Sequence, residues 1–142
     1  MAELIFDTDV DNDPHDVRRA LIDFRATMRG RDRGGLTGSA ETVLAEVLNN
    51  IVEHALAGRG QDGAIHVRCH LEGAGLCFEV VDNGIPLPGG ECPARTMPEL
   101  GKLEDLPEGG FGWALVGILA SDLEYQRDRH ENRLRFRLLV PD

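Results

Sequence analysis

Glu46 and Asn50 stand four residues apart in the stretch AEVLNNIVEHAL, Ala45 to Leu56, so one turn of helix brings a carboxylate and a side-chain amide to the same side. A carboxylate so placed is a candidate proton acceptor. The neutral amide oxygen beside it suits a hard cation that keeps several of its waters. Asn49, Glu53 and His54 fall on the same polar face, within reach of whatever the pair holds. Each asparagine costs a few tenths of a kcal/mol or more relative to alanine inside a helix, so a tandem pair calls for a reason. A solvated face is the ordinary one, and a packing or helix-end role for His54 weighs evenly with ligand contact.

Two further clusters carry chemistry. Val80, Val81, Asp82, Asn83 and Gly84 put a carboxylate at the end of an apolar run, turning on glycine. A buried carboxylate is expensive unless paired, and an amino group such as that of adenine is a suitable donor; a local Asx turn is the competing explanation. Gly109, Gly110 and Gly112 precede an apolar segment, where backbone N–H groups and a positive helix end could approach an anion such as phosphate. Glycines also end loops for steric reasons. No Lys-Ser or Lys-Thr follows, so this is not a P-loop, and no apolar strand precedes, so it is not a dinucleotide fingerprint.

The elements that must position these residues follow from periodicity. Ala40, Val43, Leu44, Val47, Leu48, Ile51, Val52 and Ala55 form one face of an amphipathic helix opposite the polar cluster, and Thr37 or Ser39 is positioned to cap it. Before it, Leu4 to Phe6 reads as a short strand. Asp11, Asn12 or Asp13 then caps a helix with Pro14 at its first position and Val17, Ala20, Leu21, Phe24 and Met28 inward, and Gly34 and Gly35 end that unit. Ala64 to Leu71 and Leu76 to Val81 read as a hairpin. Asn83 to Glu108 has five prolines and four glycines and no apolar stripe, which predicts a mobile lid with few contacts to hold it. A short helix around Trp113, Val116, Leu119 and Ala120 and two strands, Leu123 to Gln126 and Arg133 to Val140, complete the chain. The expected fold is an α/β (α+β) two-layer sandwich, with a mixed, mostly antiparallel sheet and helices on one face.

Composition bounds the function. The chain has 142 residues, which is one domain by size. With 25 acidic against 15 basic residues the net charge is −10, which disfavours a nucleic-acid partner and favours a basic protein surface. No apolar run approaches a membrane span and the start lacks a signal peptide, so a cytoplasmic protein without a membrane partner is expected. Cys69, Cys77 and Cys92 are odd in number and irregularly spaced, which argues against a disulfide framework; with His66 and His70 they lack the paired spacing of a zinc site.

Taken in order, E-x-x-x-N-x-x-x-H, then D-x-G, then a lid, then G-G-x-G heading a helix, the chain resembles the nucleotide-binding fold shared by gyrase, histidine kinases and mismatch-repair ATPases, the GHKL superfamily or Bergerat fold. It is most similar to the stand-alone bacterial branch, the anti-sigma-factor serine kinases. The likeness runs from about Ser39 to the C-terminus and includes DLEYQRDRHENRLRFRLLV. It implies ATP and Mg2+ as ligands, with Glu46 as general base, Asn50 as the Mg2+ ligand and Asp82 on the adenine amino group. It also implies that Gly84 allows close approach to the base and that Gly109, Gly110 and Gly112 cradle phosphates. Asn49, Glu53, His54, Ile85, Lys102, Phe111 and Trp113 complete the implied nucleotide contacts.

The activity implied is phosphorylation of a small antagonist (anti-anti-sigma) protein by a kinase that also binds a sigma factor, with a homodimer possible. A different class is a non-catalytic module in which nucleotide orders the lid and gates partner binding. An autophosphorylating histidine kinase is not expected, because no helical phosphoacceptor domain accompanies the motifs. The sequence departs from the pattern in three places. Ile85 and Pro86 follow the D-x-G turn where many relatives have a second glycine. Lys102 is the only cation between Arg95 and the glycines. Asn132 and Arg133 stand where some relatives have a threonine near adenine.

Overall fold

The computed structural model of the chain describes residues 2–31, 34–73, 75–87 and 111–140. In chain order these form β1 (Ala2–Asp11), α1 (Pro14–Thr27), α2 (Leu36–Asn50), β2 (Ala64–Glu72), β3 (Gly75–Asp82), α3 (Phe111–Leu119), β4 (Ser121–Asp128) and β5 (Glu131–Leu139). A π-helical turn, Ile51–Ala55, continues α2, and a 3-10 turn, Gly60–Asp62, leads into β2. The five strands make one sheet in the order β1-β2-β3-β5-β4. Among the described residues every pairing is antiparallel, so the parallel component of the mixed sheet is not found. Because β3 and β4 flank β5, the connection through α3 crosses over that strand, and α3 packs beside α2.

Strand alternation separates two faces. Phe6 and Val10, then Ile65, Val67 and Cys69, Leu76, Phe78 and Val80, and Leu134, Phe136 and Leu138 point toward the helices and are buried. Against them lie Val17, Ala20 and Phe24 of α1 and Ala40, Val43, Leu44, Val47 and Leu48 of α2. Phe6, Phe24, Phe78 and Phe136 run through this layer as successive ring contacts with centroids 5.5, 5.5 and 5.0 Å apart. Burial of each such side chain contributes about 1.5–3 kcal/mol, which makes this layer the main source of stability. The opposite face carries Arg68, Glu79, Arg133, Arg135 and Arg137 and, among the described residues, no helix.

Two local expectations are corrected, and a third, the α1 cap, resolves to one of its three candidates. β1 is a ten-residue strand rather than Leu4 to Phe6, because Asp7 and Asp9, which look like turn residues, face the open side. There Asp7 lies 2.6 Å from His66 Nε2 and 3.6 Å from Arg68, and Asp9 lies 2.5 Å from His66 Nδ1, while Val10 is buried on the other side. The cap of α1 is Asp13, whose side chain accepts from the His15 N–H at 2.9 Å. That of α2 is Gly35 at φ 78°, with no side-chain bond, and Thr37 and Ser39 sit inside the helix. The buried Leu36 must begin the helix at once, and the left-handed turn that allows this favours glycine.

The polar helix is also not regular to Leu56. From Ile51 it widens into the π turn, with the Leu56 N–H donating to the Ile51 carbonyl at 2.8 Å.

Candidate functional site

The site is built where β3 ends. Its residues Asp82, Asn83 and Gly84 each fasten the turn to a different element. The Asp82 Oδ1 accepts from the Gly84 N–H at 2.8 Å, an Asx turn, and from Asn132 Nδ2 at 2.9 Å. Asn83 Oδ1 accepts from the Ala64 N–H at 2.9 Å, while its Nδ2 donates to the Asp62 carbonyl at 2.8 Å. At Gly84 a Cβ atom would lie 2.3 Å from the Ala55 carbonyl oxygen and 2.6 Å from its carbon. Only glycine fits, and the neighbour that excludes a side chain is the backbone of the π turn. The Ile85 N–H then donates to that Ala55 carbonyl at 2.9 Å.

Asp82 is 5% exposed, one of two buried polar or charged residues in the described chain, and the other is Asn132. Burial pushes its carboxyl above the ordinary value of 3.8; the Asn132 and Gly84 hydrogen bonds and the charges of Arg127 and Arg59 oppose that shift without cancelling it. Both hydrogen bonds go to Oδ1. Among the described residues Oδ2 has no hydrogen-bond partner, which leaves it as the acceptor for a ligand.

In front of Asp82 opens a cleft of about 490 Å3, a size suited to a small-molecule ligand. Its apolar wall is Val47, Ile51, Leu134 and Trp113, and its polar lining includes Asn50, Glu53, His54 and Tyr125. Glu53 and His54 are exposed at the rim, carried there by the π turn. Asn50 Nδ2 donates to the Glu46 backbone carbonyl at 2.8 Å, which leaves Oδ1 available to the cleft. That is the donor set a hard divalent cation uses, a neutral oxygen with room for water.

Of the residues expected from sequence, the fold gathers Asn50, Glu53, His54, Asp82, Ile85 and Trp113 around one cavity, with Gly84 behind Asp82. Glu46 is half-buried one turn along α2 and does not line it, and neither does the exposed Asn49. Lys102, Gly109 and Gly110 lie outside the described residues, as do residues 88–108 of the expected lid. Phe111 and Gly112 open α3 and are described by backbone alone. The described start of the lid, residues 83–87, is tied down rather than loose. Besides the bonds of Asn83 and Ile85, the Leu87 N–H donates to the Tyr125 hydroxyl at 3.0 Å.

Tyr125, Arg127 and the inward role of Asn132 are additions that sequence reasoning missed. A signal was present. In ENRLRFRLL the residues two apart from Leu138 backwards are Phe136, Leu134 and then Asn132, a polar residue in the apolar phase; Leu76, Phe78 and Val80 lead to Asp82 in the same way. Their meeting requires the β3–β5 register, which sets Asp82 opposite Asn132.

Residues 10–138 match the family described as the histidine kinase-like ATPase domain. Among solved structures, the catalytic domain of the histidine kinase ThkA, in a nucleotide-free form, superposes with a TM-score of 0.54 at 14% identity, over 95% of this chain and 97% of that one. The histidine kinase domain of the blue-light activated histidine kinase from Erythrobacter litoralis EL346 superposes with a TM-score of 0.52 at 19% identity. That match spans 89% of this chain but 60% of the Erythrobacter one. At these identities the likeness is one of fold: the same two-layer α/β arrangement with an antiparallel sheet. No curated protein matches the chain in sequence.

Proposed function

The chain belongs to the histidine kinase-like ATPase domain family, and we propose that its cleft binds ATP and that it acts as an ATP-dependent protein serine kinase, an anti-sigma factor that phosphorylates a small antagonist protein. The observation that carries the nucleotide reading is Asp82: a buried carboxylate with one oxygen already saturated and the other left at the back of an apolar-walled cleft. An adenine amino group would supply the missing donor, and the apolar wall that includes Ile51 and Trp113 suits an uncharged ring. Mg2+, held through Asn50 Oδ1 and the phosphates, would neutralise charge on the transferring phosphoryl group.

Support for phosphoryl transfer rests on Glu46. Such transfer is mainly positioning and charge neutralisation, so one base near the reacting end suffices beside the phosphate contacts. Glu46 lies outside the cavity that Asp82 closes, one turn beyond Asn50, on the helix that carries the cation ligand. A base for an incoming serine must stand beyond the triphosphate rather than beside the adenine, so this displacement fits the role. Glu46→Gln keeps size and polarity but cannot take the serine proton. Phosphorylation of a cognate antagonist by labelled ATP is expected to fall by about 10²- to 10⁴-fold, with ATP affinity little changed.

The same displacement favours one other reading, a nucleotide-gated binding module for a sigma factor or signalling partner. It is the correct one if the wild type transfers no phosphate to any cognate antagonist yet binds partners in an ATP-dependent way.

A further inference from the structure

We infer that Asn132 sets the base preference of the nucleotide site: it holds the Asp82 carboxylate in one orientation, so that a single oxygen meets the base as an acceptor and selects a purine with an exocyclic amine there over one with a carbonyl. The inference rests on the nucleotide reading of the cleft and adds to it a residue that does not itself have to touch the ligand.

Four contacts fix Asn132. Its Nδ2 donates to Asp82 Oδ1 at 2.9 Å and to the Ile85 carbonyl at 2.7 Å. The Oδ1 accepts from the Tyr125 hydroxyl at 2.5 Å and from Arg127 Nη1 at 3.1 Å. The direction of the Tyr125 bond is settled by its other neighbour. The hydroxyl accepts from the Leu87 N–H, so its own proton is free to go to Asn132. Turning the amide over would set its NH2 against a guanidinium and its oxygen against a carboxylate and a carbonyl, so only one orientation satisfies all four. Arg127 is braced in turn, donating to the Gly84 carbonyl at 2.6 Å.

Held this way, Asn132 and the Gly84 N–H both draw on Oδ1, and the carboxylate cannot rotate without losing a buried bond. Oδ2 then has one fixed direction. Ionised, it accepts from an amine and repels a carbonyl oxygen; protonated, it would do the reverse. Burial raises the Asp82 carboxyl, and the Asn132 hydrogen bond is the largest of the opposing influences. Among the described residues, Arg127 and Arg59 act on the carboxylate and favour the ionised form, and Glu53, His54 and Tyr125 line the cleft in front of it.

Trp113 is the only tryptophan and lines the cleft, so its fluorescence reports titrations with ATP and GTP. The wild type is expected to prefer ATP. Asn132→Leu should lower that preference about tenfold or more, with the loss on the ATP side, and should move the acid limb of ATP binding to higher pH. Tyr125→Phe keeps the ring but removes the hydroxyl that orients Asn132, so its preference should fall in the same direction by about threefold or more, the worth of roughly one neutral hydrogen bond. Should Asn132→Leu fail to fold, Tyr125→Phe decides alone. An ATP-to-GTP ratio unchanged in the folded variants overturns the inference, even if both affinities drop together, because that is what a merely structural residue would do. A wild type that binds both nucleotides equally also overturns it while leaving the nucleotide site standing. Absence of any binding by the wild type removes the nucleotide reading itself and this inference with it.

Discussion

Two carboxylates of β3 face nitrogen donors of β5 directly across the ladder. Glu79 stands opposite Arg135 and Asp82 opposite Asn132, and each pair closes at 2.9 Å. Asp82 comes three positions after Glu79, and the odd spacing sends them to opposite faces of the sheet. Glu79 and Arg135 are 26% and 49% exposed on the helix-free face, where water screens the charges and Arg133 offers a second cation at 3.9 Å. Asp82 and Asn132 lie under the helices, each 5% exposed. The exposed pair uses full charges to little effect, whereas the buried pair uses one charge and one neutral amide and leaves a carboxylate oxygen directed at a cleft. Burial, not the strength of the donor, is what makes the second pair the candidate binding site.

Replacing Asp82 by Asn breaks the comparison most strongly. The side-chain oxygen can still satisfy Gly84 and Asn132, but a neutral amide now faces the proposed adenine position. Loss of a charged hydrogen bond should weaken ATP by about 1.5–3 kcal/mol, read by calorimetry, and an unchanged affinity would take Asp82 out of the site.

The same variant has a smaller and opposite consequence for stability. Because the folded carboxyl titrates above 3.8, the native protein keeps a proton that the unfolded chain has released over the window that starts there. Ionised Asp82 therefore subtracts stability as pH rises through its folded value. Relative to wild type, Asp82→Asn should gain stability from below pH 3.8 toward neutrality and then level off. Urea midpoints at several pH values measure this, and a gap that shrinks with rising pH would contradict it.

Smallest of all is the exposed pair. Arg135→Ala should change the unfolding free energy by about 0.2–1 kcal/mol, less at high salt, and leave ATP affinity alone. A loss of nucleotide binding in this variant would erase the distinction between the two faces.

Much of this was legible beforehand. The amphipathic phase of α2, the hairpin of β2 and β3, the turn at Asp82 and the final strand pair are local patterns, each readable within a dozen residues. Glu46 and Asn50 could be placed on one helix face by counting. Where reading failed, the deciding contact lay far along the chain. Asp7 and Asp9 belong to a strand because His66 and Arg68 meet them from β2. Residues 83–87 are held because Asn132 and Tyr125 reach them from β4 and β5. Gly84 looked like an opening for a ligand, yet its missing side chain makes room for Ala55.

By itself, then, the sequence determined which residues alternate inward, where the helices and strands other than β1 run to within a few residues, and the order in which an amide, a carboxylate turn and a glycine cluster occur, because each depends on neighbours a few bonds away. Tertiary structure alone decided the π turn that carries Glu53 and His54 to the cleft and the antiparallel β3–β5 register that pairs Asp82 with Asn132. It also decided the burial that separates that pair from Glu79 and Arg135. The physical reason is that a hydrogen bond's worth is set by what surrounds it. The dielectric and the competing water around a side chain are properties of the packed chain, and residue type and spacing do not contain them.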